Sequence, residues 1–342
     1  MNGREPAFEQ TYRRRDTPAW ARTSVRHRTA PLLAVPAIRE PQMPLRWLTT
    51  AIGLSGLLVA ATMVHQHIGV ALAAPGFAAL IVLLAALSLL WRRCHALSGD
   101  HPAPWHRRGR DFAEAAVLLV ATGVIGALGS YAAAAFTTGF DDALLERGDR
   151  ALHFDWLAVY RLVAGHPALQ WLAEAAYASI WVTPWVIIGW CAWHARQADA
   201  RRFIAAFWLG AMLTLLLFPL LPARGALAYL WRGPIPYVPL EGLAQGHIIP
   251  LLRAHALPRV DLGALQGLVC APSFHTVSAA IFIASAWPHP PLRRWLVPLN
   301  AAMLLATPVE GTHYLTDMLL GLVVAATALA TVRAVERGWA GG

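Results

Sequence analysis

The chain has 342 residues, 57% hydrophobic and only 14% charged, where a soluble globular domain carries about 25% charged residues. Those figures exclude an ordinary soluble domain, a disordered chain and a collagen-like repeat, and three cysteines are too few for a disulfide-stapled scaffold. The net charge is +9 and all 28 basic residues are Arg, which raises either a nucleic-acid footprint or a membrane topology signal.

Residues 1–45 are rich in Arg and Pro and show no helical periodicity, with Arg13, Arg14 and Arg15 as the densest cluster. The stretch lacks the apolar core of a cleavable signal. Glu5, Glu9, Asp16 and Glu40 argue against a transit peptide. It reads as a disordered tail.

Apolar runs follow at Trp47–Val64, Val70–Trp91, Phe112–Phe136, Leu169–Trp193 and Phe203–Leu221, then Leu268–Trp287, Trp295–Val309 and Tyr314–Val332. A helix needs about 20 apolar residues to cross the hydrocarbon core, so the sixth, with its polar start, and the short seventh are the weakest. The pattern predicts an all-α polytopic membrane protein of about eight spans. Cys94, Cys191 and Cys270 are far apart, and no metal-ligand spacing appears.

Arg placement predicts the orientation. With the tail in the cytoplasm and eight alternating spans, the cytoplasmic side takes the tail, Arg92–Arg110, Arg196–Arg202, Arg293–Arg294 and the C-terminus. With Asp111 and Glu114 taken with their nearest end, these segments hold 21 of the 28 Arg and 9 of the 19 acidic residues. The opposite side keeps two long segments, Gly139–Pro167 and Pro222–Gly267, and a short turn at Glu310–Thr312. The net charge therefore reads as topology, with no nucleic-acid partner implied.

Three strings gather chemistry on that opposite side. In "CAPSFHTVSAA", Pro272 suits a first helical turn, which puts Ser273 and His275 at a helix N-terminus, a place that favours phosphate; a capping Ser beside an interfacial His is the plainer alternative. In "EGTHYLTDMLLG", His313 and Asp317 are four apart and would share a helix face. An acid in an apolar span is costly unless paired, and a carboxylate on one imidazole nitrogen raises the basicity of the other; a pair that only joins helices is again the alternative. In "FPLLPARGAL", Arg224 follows the fifth span, and a guanidinium can grip phosphate bidentately.

Other polar residues read as structural. His65 and His67 flank a short turn, and His247 and His255 lie in the outer loop without a partner at useful spacing. Glu174, with Tyr177 three residues on, would share a helix face without an assigned role. The 15 Trp read as interfacial anchors.

"PSFH" followed by "HYLTD" about 38 residues later resembles the second and third signatures of the type 2 phosphatidic acid phosphatase superfamily. The bulky residue before His275, with "DRALHFDW" and "HPALQWLAEAAYAS", is similar to the branch of inositol phosphorylceramide synthases. The resemblance covers Phe112 to Val332 and implies a six-helix core over residues 112–335, with two additional helices and a basic loop over residues 46–111. It implies His313 as the phosphoryl-accepting nucleophile, Asp317 as its orienting acid, His275 as the general acid and Ser273 and Arg224 as phosphate ligands. It implies no metal and no cofactor. Two departures stand out. The chain has no Lys for the first signature, and Thr307 occupies the place of the usual Arg six residues before the nucleophile. Arg253 and Arg259 are the candidates to supply the missing charge. The expected activity is a lipid phosphatase or phosphotransferase of the bacterial inner membrane, with its site on the periplasmic side and its lipid phosphate entering from the bilayer. Phosphatidic acid, a polyprenyl diphosphate, or a phosphoinositide donor with a ceramide acceptor would all fit. The alternative is an inactive lipid-binding or transport protein of the same fold.

Overall fold

The computed structural model describes residues 43–97 and 103–340. The tail expected over residues 1–45 falls mostly on residues 1–42, outside the described residues.

Every expected span contains a helix. Helix α1 (Leu45–His65) and α2 (Pro75–Ala96) are followed by α3 (Pro104–Ala135), a single helix that runs through the boundary expected at residues 111 and 112. Two short helices, α4 (Asp142–Ala151) and α5 (Trp156–Ala164), come next. The fourth expected span is α6 (Pro167–Ala178) and α7 (Thr183–Trp193), bent by 48° at the break between them; Pro184 in the first turn of α7 accounts for a new start there. The chain continues with α8 (Gln197–Leu217), α9 (Ala226–Leu230), α10 (Ala244–Arg253), α11 (Phe274–Ala286), α12 (Pro290–Glu310) and α13 (Leu315–Ala340).

Among the described residues five helices, α1, α2, α3, α8 and α13, are long and apolar enough to cross a membrane, and the bent pair makes a sixth. The two weakest expected spans fall short for local reasons. Helix α11 has 13 residues, about 20 Å of rise, because Ser273 caps its start and Pro288 closes its end. Helix α12 has 21 residues, but Arg293, Arg294, Asn300 and internal Pro298 and Pro308 dilute its apolar character. Both still pack inside the bundle, α11 against α8, α12 and α13, and α12 against α6.

Apolar side chains on α1 and α2 face outward, with Leu57, Leu58 and Val82 exposed, as lipid-facing surfaces require. Inside, Phe203 and Phe207 of α8 pack on Phe282 of α11 at ring separations of 5.9 Å. At the Arg-rich end, Arg201 bonds Glu114 at 2.7 Å and joins α8 to α3. At the other end a two-residue parallel ladder pairs β1 (Gly69–Val70) with β2 (Arg259–Val260), so the second span starts at Pro75 and not at Val70. The His255 ring is 3.0 Å from the Gln66 carbonyl, a partner the sequence did not reveal. These contacts fasten the α1–α2 turn to the outer loop.

Candidate active site

Helix α4 supplies two buried acids that build the frame of the site. Asp142 accepts the backbone N–H groups of Arg224 and Gly225 and the hydroxyl of Tyr314, all at 3.0–3.2 Å. Asp149 accepts the N–H groups of Leu315 and Thr316 and the Thr316 hydroxyl at 2.8–3.0 Å. The first N–H groups of a helix have no partner within it, and α13 borrows its partner from a helix far away in sequence. Gly225, at φ +94°, lies so close to Thr312 that a Cβ would strike its hydroxyl, and Ala226 N–H bonds the Thr312 carbonyl at 2.7 Å. Arg224 is thereby tied to the turn that carries His313.

His313 lies before α13, not on it: Thr312 is left-handed at φ +52° and the helix begins at Leu315. The expected helical i,i+4 face is therefore replaced by a turn that folds back on the first helical turn. His313 Nδ1 is still 3.1 Å from Asp317 Oδ1, within ion-pair range, although neither atom makes an aligned hydrogen bond. The other Asp317 oxygen accepts Tyr314 N–H at 3.0 Å. That bond, from the third helical residue back to the cap, is half of a capping box, and the helix dipole favours an anion there. Asp317 is thus less costly than an acid in mid-span.

Cys270 donates its thiol proton to Asp317 Oδ2 at 3.3 Å. The sequence spacing hid this contact. Cys270, His313 and Asp317 are all buried, and their ligand atoms lie within 4.8 Å of one another, a set chemically able to take a soft divalent cation.

His275 faces this pair from the first turn of α11, its ring centroid 6.5 Å from that of His313. Pro272 stands before the cap and not in the first turn. Ser273 is the N-cap, accepting Thr276 N–H at 3.4 Å, and its own N–H bonds the Asp317 carbonyl at 3.1 Å. Its side chain thus serves the helix start.

The Arg candidates separate. The Arg224 guanidinium is 43% exposed, with Nε 3.5 Å from Asp142, too long for a good hydrogen bond. The group lies over the Phe140 and Tyr229 rings, while the Arg224 backbone is tied through Asp142 and Gly225 to the His313 turn. Arg253 is not brought to the histidines: it donates to the Thr137 hydroxyl at 2.9 Å and the Gly139 carbonyl at 2.6 Å and lies over Phe140, which locks it on the α3–α4 link. Arg259 is held in the ladder beside Gly69 and is exposed. Arg253 is thus engaged with protein groups, and Arg259 pairs through its backbone with its side chain exposed. Thr307 is fully buried and donates to the Met303 carbonyl at 2.7 Å.

Sequence reasoning missed an acidic and phenolic wall. The Tyr237 hydroxyl is 2.9 Å from Glu174 and 2.8 Å from Glu310, so one phenolic proton is shared between two carboxyl groups. Glu310 also accepts Leu240 N–H at 3.2 Å, and Glu241 accepts Gly267 N–H at 3.0 Å. The Glu241 carboxyl is held above its ordinary value by burial, opposed by that N–H and by the nearby charge of His313. These bonds fix the segment between α9 and α10 beside the histidines. Tyr177 on α6 stacks on His275 at 3.9 Å between ring centroids, and its hydroxyl is 2.9 Å from His275 Nδ1.

The arrangement offers a buried imidazole with a carboxyl group behind it, a second imidazole facing it, and a guanidinium whose backbone is tied to the same turn. A family model described as the PAP2 superfamily matches residues 143–331, from α4 into α13 and more than half of the chain. No curated protein and no solved structure gives a significant match.

Proposed function

Because the chain belongs to the PAP2 superfamily, a superfamily of phosphatase-type enzymes, we propose that it is an integral-membrane lipid phosphatase or head-group phosphotransferase that works through a phosphohistidine at His313. The observation that carries this reading is the facing pair: His313 with Asp317 at its back, and His275 with its ring 6.5 Å away. Phosphoryl transfer needs an in-line nucleophile, a proton for the leaving oxygen and positive charge or N–H donors for the equatorial oxygens. His313, His275 and Arg224 fill these roles in turn, with the start of α11 as a further source of donors.

The site would face away from the cytoplasm. Helix α8 enters with Arg201 and Arg202 and leaves toward Arg224, while α13 starts at the site and ends at Arg337. The basic ends of both helices are thus opposite the histidines, and basic ends face the cytoplasm. In a bacterial inner membrane that puts the site on the periplasmic side. Residues 112–335 would form the catalytic core and α1 with α2 an attached pair. Within the superfamily, Phe274 before His275 and the Asp149–Trp156 string favour the branch of inositol phosphorylceramide synthases, and hence a sphingolipid-type acceptor. The reaction as drawn uses no metal and no cofactor, with Cys270 serving Asp317 as a thiol donor.

The test is a panel of lipid phosphates assayed on purified protein with and without an alcohol acceptor. Phosphate release or head-group exchange that vanadate inhibits supports the reading. Lipid binding with no turnover across the panel favours the inactive alternative.

A further inference from the structure

Tyr177 lies on α6, outside the two signature strings, yet it touches the pair more closely than several residues within them. Its hydroxyl is 2.9 Å from His275 Nδ1 and the two rings are stacked. It is only 2% exposed. Gly311 shows how near it comes to the other histidine: a Cβ placed there would collide with the His313 ring, 2.7 Å from the Tyr177 oxygen and 3.0 Å from His313 Nε2. The phenol therefore lies beside the gap between the two imidazoles, and the missing side chain at Gly311 keeps that gap open.

We propose that Tyr177 is the positioning residue that holds His275 in the tautomer protonated at Nδ1, with Nε2 turned to the reacting oxygens. This rests on the phosphohistidine reading and deepens it. One nitrogen of a histidine is set by the hydrogen bond of the other. In the first half-reaction His313 Nε2 forms a bond to phosphorus as the bond from phosphorus to the leaving oxygen breaks. That oxygen takes the Nε2 proton of a protonated His275. In the second half-reaction the acceptor oxygen bonds phosphorus, the N–P bond breaks, and His275 Nε2 takes the acceptor's proton. Nε2 thus alternates between donor and acceptor, which requires the other ring proton to stay on Nδ1 throughout. The Tyr177 oxygen accepts that proton's hydrogen bond. Were Tyr177 the donor instead, Nε2 would keep the only ring proton and could not act as a base in the second step.

The experiment compares Tyr177→Phe, His275→Ala and the double variant on two substrates, a long-chain phosphatidic acid and p-nitrophenyl phosphate. The phenylalanine ring keeps the stack and removes only the hydroxyl. A positioning role predicts that kcat on the alkyl ester falls at least about tenfold, within the reach of acid–base catalysis, with KM little changed. In a single turnover, release of the aryl leaving group, which needs no proton, should slow far less than release of the alkyl one, while the second step slows alike for both. Tyr177→Phe should add nothing once His275 is absent. Equal single-turnover losses on both substrates, or full additivity in the double variant, would overturn the proposal. A measurement without turnover decides it independently: histidine ¹⁵N spectra of wild type and His275→Ala near neutral pH, where the resonance lost in the variant belongs to His275. It should show a protonated Nδ1, whether Nε2 is bare or carries the proton used in the first step; a bare Nδ1 beside a protonated Nε2 rejects the role of Tyr177. If wild type turns over neither substrate while the tautomer is as expected, the functional reading fails and the positioning of His275 stands.

Discussion

Asp149 on α4 caps α13, accepting the N–H groups of Leu315 and Thr316 at 3.0 and 2.8 Å. The turn that carries His313 is therefore anchored from outside its own sequence neighbourhood, because His313 precedes that helix by two residues.

Replacing Asp149 with Ala leaves two helix N–H groups and the Thr316 hydroxyl without this acceptor. Loss of a cap costs about 1 kcal/mol, and buried donors left unpaired add about 1–3 kcal/mol. The thermal midpoint in detergent should fall by several degrees, with activity falling through displacement of His313. An unchanged midpoint would show that the cap is dispensable.

Asp317→Asn keeps the shape but loses the charge behind His313. Turnover should drop about 10²- to 10⁴-fold, the range typical of acid–base assistance, with lipid binding retained. Single-turnover kinetics would check it, and a rate near wild type would mean that His313 needs no carboxylate.

Gly311→Ala carries no chemistry, yet its Cβ would strike the His313 ring. Activity should be lost while the fold persists, seen as a wild-type elution profile with little phosphate release. An active Gly311→Ala enzyme would place the reaction elsewhere.

Arg224→Gln should raise KM severalfold, whereas Arg259→Gln should leave both kinetic constants unchanged because that side chain sits on the ladder. Substrate titrations of the two variants separate them, and the opposite pattern would reverse the assignment of the phosphate-binding Arg.

Glu241 gives a pH signature. Its carboxyl titrates above 4.5 because burial disfavours the charged form, so the folded state holds that proton more tightly than the unfolded chain. The stabilisation is full below 4.5 and is lost as pH rises through the folded-state value. Thermal midpoints measured upward from pH 4.5 should decline less in Glu241→Gln than in wild type; parallel curves would refute the linkage.

Helix existence was legible because apolar runs near twenty residues long leave little choice. The His313–Asp317 pair was legible as a motif, but its geometry was not: a left-handed Thr312 replaced the helical turn that the spacing suggested. Asp142, Asp149, Glu241 and Tyr237 were illegible as partners, since each bonds across long sequence separations and the string that opens at Asp149 names no partner for it. Tyr177 had two visible signals, its place on the face of Glu174 and in the string from His166 to Ser179, but neither pointed it at His275. Arg253 and Arg259 were chosen for charge and side alone, and neither the hydrogen bonds of Arg253 nor the backbone ladder at Arg259 had a sequence signal.

The most direct measurement follows the phosphoryl group itself. Protein incubated briefly with a ³²P-labelled lipid phosphate and quenched in base should carry an acid-labile, alkali-stable label on the peptide containing His313. The label and turnover should both vanish in His313→Ala. Full turnover by His313→Ala, with no label on that peptide in wild type, would contradict the phosphohistidine account.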